Sequence, residues 1–363
     1  MNRPMQTPFL MLKNNRGMAL LVTLSIIAIL VTTTLALNRR IRTSVEFSAT
    51  ERDRVTLNYM ALSGVQAAIA LLIKDKETSD IDSIQEDWAN PEKLAELMAD
   101  IPFEEGKLRV QIIDELGKIQ VNALVKFPEG RQFNETQRKM WDHFLNLVIS
   151  PLDRTEDAAP TPIINSIKDW LDFGDDDATT GLSGAESDYY EDLDPPYACK
   201  NGPMTHLGEL PLIKGITPEF FEGAGGVPGI GEYMTVFGMT AAENSRYTFN
   251  GTININTADL PVIGAMLPPE NETLAQSIYE YRSAKNDESF ANDLSSPTWY
   301  KDAPGCSDLT IDPKLVSTSS DVFRIQSEAG LRDMHLLISA VVTRIKDKES
   351  GKWNGRLLSW EEK

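Results

Sequence analysis

The sequence predicts an α+β fold in which a long N-terminal helix precedes an antiparallel sheet, and a large, mainly helical insertion interrupts that sheet. Three observations predict it. An uncharged apolar run from Met18 to Leu37 passes without a breaker into an amphipathic stretch that reaches Lys74. Alternating apolar segments occur near Val110 and return only at Val322. Between them the residues have the texture of helices and loops. With 363 residues the chain is about twice a typical domain, enough for a sheet domain and further modules.

The helix comes first. The run from Met18 to Leu37, at a rise of about 1.5 Å per residue, spans about 30 Å, the hydrocarbon thickness of a bilayer. Lys13 and Arg16 precede it and Arg39, Arg40 and Arg42 follow it, so counting charges does not orient it. The junction Lys13-Asn14-Asn15-Arg16-Gly17 is more informative. A short basic leader ending in glycine just before a membrane-length apolar run is what a prepilin peptidase cuts on the cytoplasmic face. This predicts a leader over residues 1–17, cleavage between Gly17 and Met18, and an amino terminus inside. Signal peptidase needs small residues after the apolar run, and Thr32 to Leu37 leads into Asn38-Arg39-Arg40 without a clean site of that kind. A plain signal anchor is the alternative. Beyond the span Val45, Val55, Met60, Ala61, Val65, Ala68, Ile69 and Leu72 recur at helical spacing, with Glu46, Glu51, Arg52, Asp53 and Arg54 between them, so one helix is expected over 18–74.

Residues 75–123 are expected to begin the sheet domain. A polar connector from Asp75 to Asp100 is partly helical around Pro91 to Met98. Leu108, Val110 and Ile112 then alternate with Arg109 and Gln111, a turn falls near Leu116-Gly117, and Lys118 to Val121 runs back, the pattern of a hairpin. Residues 124–316 form the insertion. Its two helical modules divide near 250, because Gly117-Lys118-Ile119-Gln120-Val121-Asn122 recurs as Gly251-Thr252-Ile253-Asn254-Ile255-Asn256 with helix-compatible sequence after each. Strands return at Val322 to Ile325, His335 to Arg344 and Leu357 to Trp360, in a closing part over 317–363, so the sheet is assembled from both sides of the insertion.

A glycine junction followed by one helix, half in lipid and half amphipathic, resembles the type IV pilins and pseudopilins. Most of those carry a glutamate at the fifth position of the mature chain, where this sequence has Val22 and no carboxylate anywhere in the apolar run. An unpaired carboxylate in lipid costs roughly 2.5–3.5 kcal/mol, so the glutamate is tolerable where a neighbour's amine meets it, and a subunit lacking it need not dock beneath another. This departure, together with Ile163 to Asp172, Gly184-Ala185-Glu186-Ser187-Asp188-Tyr189-Tyr190, Pro195-Pro196-Tyr197 and Ile253 to Ala258, resembles the K-type minor pseudopilins of type II secretion over nearly the whole chain. The resemblance implies a pilin-like fold with two SAM-like modules set into it. It also implies a single-pass inner-membrane protein with its bulk in the periplasm. Further, it implies a tip complex with I-, J- and H-type minor pseudopilins that starts or caps pseudopilus assembly for export of folded proteins, prepilin peptidase and the inner-membrane secretion platform as partners, and no enzymatic activity.

The acidic stretch from Asp169 to Asp194 carries the chemistry. It holds ten carboxylates, with no lysine or arginine before Lys200. Such a run is either a solvated loop or gathered on a cation. With Asp175 as first position of a calcium loop, Asp177 is third, Thr179 fifth and Glu186 twelfth, but Gly181 falls seventh rather than sixth, a partial EF-hand match. Oxygen-only ligands favour calcium over zinc, and the resemblance implies calcium in this loop as well. Asp175, Asp177, Glu186 and Asp188 are the expected ligands, with Asp172 and Asp176 beside them.

Composition bears on other classes. A net charge of −19 argues against binding nucleic acid or an anionic lipid surface, because phosphate binding depends on lysine and arginine. The alternative reading is a membrane-anchored helix-hairpin-helix DNA receptor, since Val227-Pro228-Gly229-Ile230-Gly231 and Ile253 to Ala258 resemble pieces of such modules; the acidic insertion opposes it. His143, in an apolar helix, and His335, in a strand, read as packing residues, and no serine or cysteine nucleophile motif accompanies His143, His206 or His335. The two cysteines, Cys199 and Cys306, both lie after the span and are expected to form a disulfide worth up to about 4.7 kcal/mol in the chain-entropy model.

Processing is the first expected outcome: mass spectrometry of the protein from membranes with active prepilin peptidase finds its amino terminus at Met18. An intact leader there would remove the main support for the pseudopilin resemblance.

Overall fold

The computed structural model describes residues 16–103, 105–149, 159–174, 179–241, 246–287 and 289–363. The chain divides into two compact units at Tyr59, the second running from Met60 to Lys363. Helix α1 is continuous over Arg16–Thr78, 63 residues, and begins two residues before the expected start and ends four beyond the expected end. Its N-terminal window, with a mean hydropathy of 2.5, is long and apolar enough to cross a membrane. The polar atoms of that run are provided for within the helix. Thr23 donates to Leu20 O at 2.9 Å, Ser25 to Leu21 O at 2.8 Å, Thr32 to Ala28 O at 2.9 Å, Thr33 to Ile29 O at 2.8 Å and Thr34 to Leu30 O at 2.7 Å. Each hydroxyl therefore satisfies its proton without water, as a hydrocarbon environment requires. Val22 lies in this helix and is exposed.

In the second unit the end of α1 lies on a four-stranded antiparallel sheet. Strand β1, Lys107–Asp114, pairs with β2, Val322–Leu331; β2 pairs with β3, Met334–Lys346, and β3 with β4, Trp353–Glu362, which closes the order. Met60, Ala61, Val65, Ala68 and Leu72 form the buried stripe of α1 against it. Gly64 sets the approach: a Cβ there would lie 2.3 Å from Ser327 Oγ on β2 and 2.9 Å from Val110 Cγ2 on β1, while Ser327 Oγ donates to Ala61 O at 2.8 Å. Gly355 does the same on β4, where a Cβ would meet Ile69 Cγ2 at 2.7 Å.

The sheet thus takes one strand from before the insertion and three from after it. The expected hairpin does not form. Glu115–Gly117 is a tight helical turn, and Ile119–Gln120 leaves the sheet to pair in parallel with Met234–Thr235 inside the insertion. β1 instead meets β2 in register from Lys107↔Gly330 to Asp114↔Phe323, because β2 offers ten residues of alternating burial where Ile119–Gln120 offers two. The repeated hexapeptides share one geometry. Ile253–Asn254 pairs in parallel with Val316–Ser317, as Ile119–Gln120 does with its own partner. In both copies the fourth side chain caps the sixth backbone amide: Asn122 N donates to Gln120 Oε1 at 2.7 Å, and Asn256 N to Asn254 Oδ1 at 3.2 Å. Helix α2, Pro91–Ala99, precedes β1, and the helices between β1 and β2 are α3, Glu135–Val148, α4, Pro160–Leu171, α5, Ser187–Glu191, α6, Pro218–Glu222, α7, Leu260–Met266, and α8, Leu274–Ser283. They enclose one continuous apolar cluster that includes Trp141, Phe144, Ile167, Ile263 and Trp299.

Sheet, connector and insertion meet at Arg344, whose side chain is 1% exposed. Its Nη1 donates to Leu72 O and to Asp75 Oδ2, both at 3.2 Å, and its Nη2 to Asp82 Oδ1 at 2.5 Å and to Ser320 O. Asp82 also accepts from Ser320 N at 2.9 Å, and its carbonyl accepts from Asn254 Nδ2 at 2.9 Å. Asn254 reaches on to Asp114 Oδ2 at 2.8 Å.

Burial first, then the neighbouring Glu86 and Asp82 charges, push Asp75 up to about 7, with Arg344 opposing. Burial lifts Asp114 to about 6 against the hydrogen bonds it accepts. The folded state therefore holds these two protons to higher pH than the unfolded chain does. Their contribution is fully present below the ordinary aspartate range near 4 and is lost as pH rises through about 6 to 7. Thermal unfolding of the detergent-solubilised chain is expected to show its midpoint rising as pH falls from 8 to 5, with each proton worth at most about 1.4 kcal/mol per pH unit. Asp75→Asn is expected to flatten the upper part of that dependence.

Candidate metal centre

The C-terminus of α4 is built to crowd charge. The helix buries Ile163, Ile164, Ile167, Trp170 and Leu171, and this amphipathic register carries Asp169 inward with them, fully buried. Asp172, the C-cap, follows three residues on and lies on the same face. Both carboxylates sit at the negative end of the helix dipole, where a cation is favoured. Glu186, 2% exposed, is the N-cap of α5. One oxygen from each of Asp169, Asp172 and Glu186 lies within 4.8 Å of the others.

Residues 180–184, just before α5, close on this group. Thr180 N donates to Asp169 Oδ1 and Oδ2 at 3.2 and 3.1 Å, and Asn165 Nδ2 donates to Ser183 Oγ at 2.9 Å. Two glycines make room. Gly181 adopts φ +61°, and a Cβ there would lie 2.7 Å from Asn165 Nδ2. A Cβ on Gly184 would lie 1.9 Å from Asp169 Oδ2. Burial raises Asp169 above its ordinary range, against the Thr180 hydrogen bonds and the Lys168 charge. Three buried oxygen donors brought together from two helices fit a hard divalent cation, which would reverse that shift by favouring the ionised form.

Trp170, next to Asp169 in α4, belongs to an aromatic group. Trp170 meets Tyr190 edge-on at 5.3 Å, and Tyr190 stacks on Tyr197 at 5.3 Å. Tyr197 OH donates to Leu212 O at 2.7 Å. Trp170 Nε1 donates to Glu209 Oε2 at 3.2 Å, and Lys200 Nζ pairs with Glu209 Oε1 at 2.6 Å.

Of the residues expected from sequence, the structure brings together Asp172 and Glu186. Asp175, Asp176 and Asp177 lie outside the described residues. Asp188 is corrected: it is exposed in the first turn of α5, where it complements the helix N-terminus instead of joining the cluster. Asp169 is the addition. Its signal was available in the helical period, which places 169 and 172 on one face, but the apolar helix around it concealed its role. A second carboxylate group, Asp75, Asp82 and Glu86, is already served by Arg344 and by Lys76, whose Nζ lies 3.9 Å from Asp82 Oδ2.

The expected disulfide does not form. Cys199 and Cys306 are free, buried thiols in separate surroundings: Cys199 Sγ donates to Asp169 O at 3.5 Å, and Cys306 Sγ to Pro304 O at 3.7 Å. Burial, then the nearby Glu186 and Asp169 charges, push Cys199 up to about 12. His143 is buried, with Nδ1 3.0 Å from Leu267 O, as a packing residue would be, whereas His335 is exposed on β3. Residues 223–228 form a tight antiparallel pair, Gly223–Ala224 with Val227–Pro228, beside Glu222, Glu232 and Asp259, carboxylates that repel a phosphate backbone.

Residues 117–224, which contain the whole site, match the family model described as type II secretion system protein K. The type II secretion system protein K of Pseudomonas aeruginosa is 23% identical over 344 residues, covering 93% of this chain and 91% of that protein. That of Klebsiella pneumoniae is 25% identical over 79% of this chain and 81% of its own length. That of Aeromonas hydrophila is 24% identical, and this chain spans 60% of its length. Among solved structures, a chain of the GspK-GspI-GspJ complex from enterotoxigenic Escherichia coli shares the fold, with a TM-score of 0.61 at 14% identity over 87% of this chain and 99% of that one.

Gly184→Ala is expected to destabilise the protein by about 1–3 kcal/mol, because the added methyl must displace the Asp169 carboxylate. Denaturant unfolding measures it; a variant as stable as the parent would show that the loop does not close on Asp169.

Proposed function

We propose that the chain is a member of the type II secretion system protein K family and the minor pseudopilin at the tip of the pseudopilus, starting or capping assembly with I- and J-type minor pseudopilins for the export of folded proteins. The observation that carries this reading is the combination of a single pilin-type helix with an insertion lodged between β1 and β2. The apolar run of α1 supplies the anchor in the inner membrane, after removal of residues 1–17 by prepilin peptidase. Val22 offers no carboxylate to the amine of a subunit above. The insertion, some two hundred residues of helix and loop, obstructs regular stacking over it. Both features suit an end position better than a repeating one. The I- and J-type partners are supported by a neighbour of the same fold, solved as a GspK-GspI-GspJ complex. H-type subunits and the inner-membrane platform complete the expected set.

Calcium is the cation this reading places at Asp169, Asp172 and Glu186. Its ligands there are oxygens only, and when bound it supplies two positive charges that neutralise a buried carboxylate group. Asp169 and Asp172 would hold it from the end of α4 and Glu186 from the start of α5, so that it ties the two helices together. That role is structural and not catalytic.

The assignment is tested by site-specific cross-linking from α1 between Met18 and Val45 in cells that assemble pseudopili. Capture of I- and J-type subunits near one filament end is expected. Recovery of the protein at regular intervals along the filament would defeat the tip position.

A further inference from the structure

A lysine already stands in the carboxylate group. Lys168 precedes Asp169 on α4, its side chain is 13% exposed, its Nζ pairs with Asp172 Oδ2 one turn on, and the same Nζ lies 3.8 Å from Asp169 Oδ1. Asp169 feels its charge directly. The other side of the ammonium faces the Phe133 ring at 5.8 Å from the centroid, a ring that Arg138 also covers at 4.7 Å. Lys168 Nζ thus sits between the carboxylates and an aromatic face, with a small part of its side chain open to water. An ammonium brings one positive charge and three donors that cannot be shared among three carboxylates as a metal ion's coordination sphere can. A divalent ion that takes an oxygen of Asp172 must first separate that oxygen from Lys168.

We propose that Lys168 is the resident counter-cation of this site, holding the carboxylates of Asp169 and Asp172 when no divalent cation is present and yielding its place when one binds. The inference rests on the calcium reading of the site. It gives the chain a way to keep the α4 terminus folded before calcium is met, since two carboxylates at the negative end of a helix would otherwise repel each other. It also sets the affinity: calcium must outcompete an internal charge, so the site responds at higher calcium concentration than the three carboxylates alone would allow.

Calcium titration of the detergent-solubilised full chain by calorimetry, with thermal unfolding in EDTA, tests this on the parent, Lys168→Met and Lys168→Arg. The parent is expected to bind calcium. Lys168→Met is expected to bind about tenfold more tightly, the order of effect for removing one charge from a partly screened site, and to melt at lower temperature in EDTA. Lys168→Arg keeps the charge and is expected to stay close to the parent in both. A parent that binds and a Lys168→Met variant that binds no more tightly would overturn the proposal and leave the calcium reading standing. Binding by Lys168→Met but not by the parent would support Lys168 as the resident cation and overturn the calcium reading for the native chain. Binding by neither would overturn both. Should Lys168→Met fail to fold, acylation of Lys168 in the parent, read by mass spectrometry, decides: labelling is expected to quicken with calcium over EDTA, and labelling indifferent to bound calcium would overturn the displacement.

Discussion

The structure turns on one buried guanidinium. Arg344 comes from β3, yet its donors go to the end of α1 through Leu72 and Asp75, to the connector through Asp82, and to the approach of β2 through Ser320. Asp82 extends the network into the insertion by receiving Asn254, and Asn254 extends it to Asp114 at the end of β1. A lysine would not serve, because the planar fork of arginine reaches carboxylate and carbonyl partners on several sides at once. The arrangement explains how so large an insertion can interrupt a four-stranded sheet without splitting it. The two points where the chain leaves and rejoins the sheet, Asp114 and Ser320, are tied to the same buried group.

That knot and the Asp169 group solve the same electrostatic problem in different ways. In each, burial forces carboxylates together and raises their proton affinity. At Asp75 and Asp82 the chain supplies a buried arginine and a lysine beside it, so the charges are matched within the fold. At Asp169, Asp172 and Glu186 it supplies a lysine on the rim, paired to one carboxylate and reaching toward a second. The first is a structural joint. The second is the site proposed above for a cation taken from solution. Glycine at 184 is the local condition for it, since a side chain there would stand where the Asp169 carboxylate stands.

The helix obeys a separate constraint. Over its apolar run each hydroxyl donates to a backbone oxygen one turn back, so the run is chemically closed and can sit in lipid. Past Tyr59 the same helix becomes the packing partner of a sheet, and there Gly64, among the buried Met60, Ala61, Val65, Ala68 and Leu72, lets β1 and β2 approach closely.

The sequence by itself determined the elements whose cause is local: α1, from unbroken apolar and amphipathic periodicity, the sheet strands after the insertion, from alternation, and the paired hexapeptides, from repetition. It also showed the density of carboxylates between Asp169 and Asp194, while leaving open whether they spread in water or gather. Partner choice was decided by the tertiary structure. Ile119–Gln120 alternates well enough to close a hairpin with β1, but ten-residue β2 buries more and lies on the far side of the insertion, a distance no local pattern encodes. Ligand choice was decided in the same way. Asp188 and Asp169 are equally acidic in sequence, yet α5 turns the one to solvent while the apolar face of α4 carries the other into the core. Two lone cysteines likewise read as a pair until packing gave each its own buried surroundings. Periodicity fixes which face a residue occupies; only the packing of faces fixes what it meets there, because contact energy depends on segments that sequence separation keeps apart.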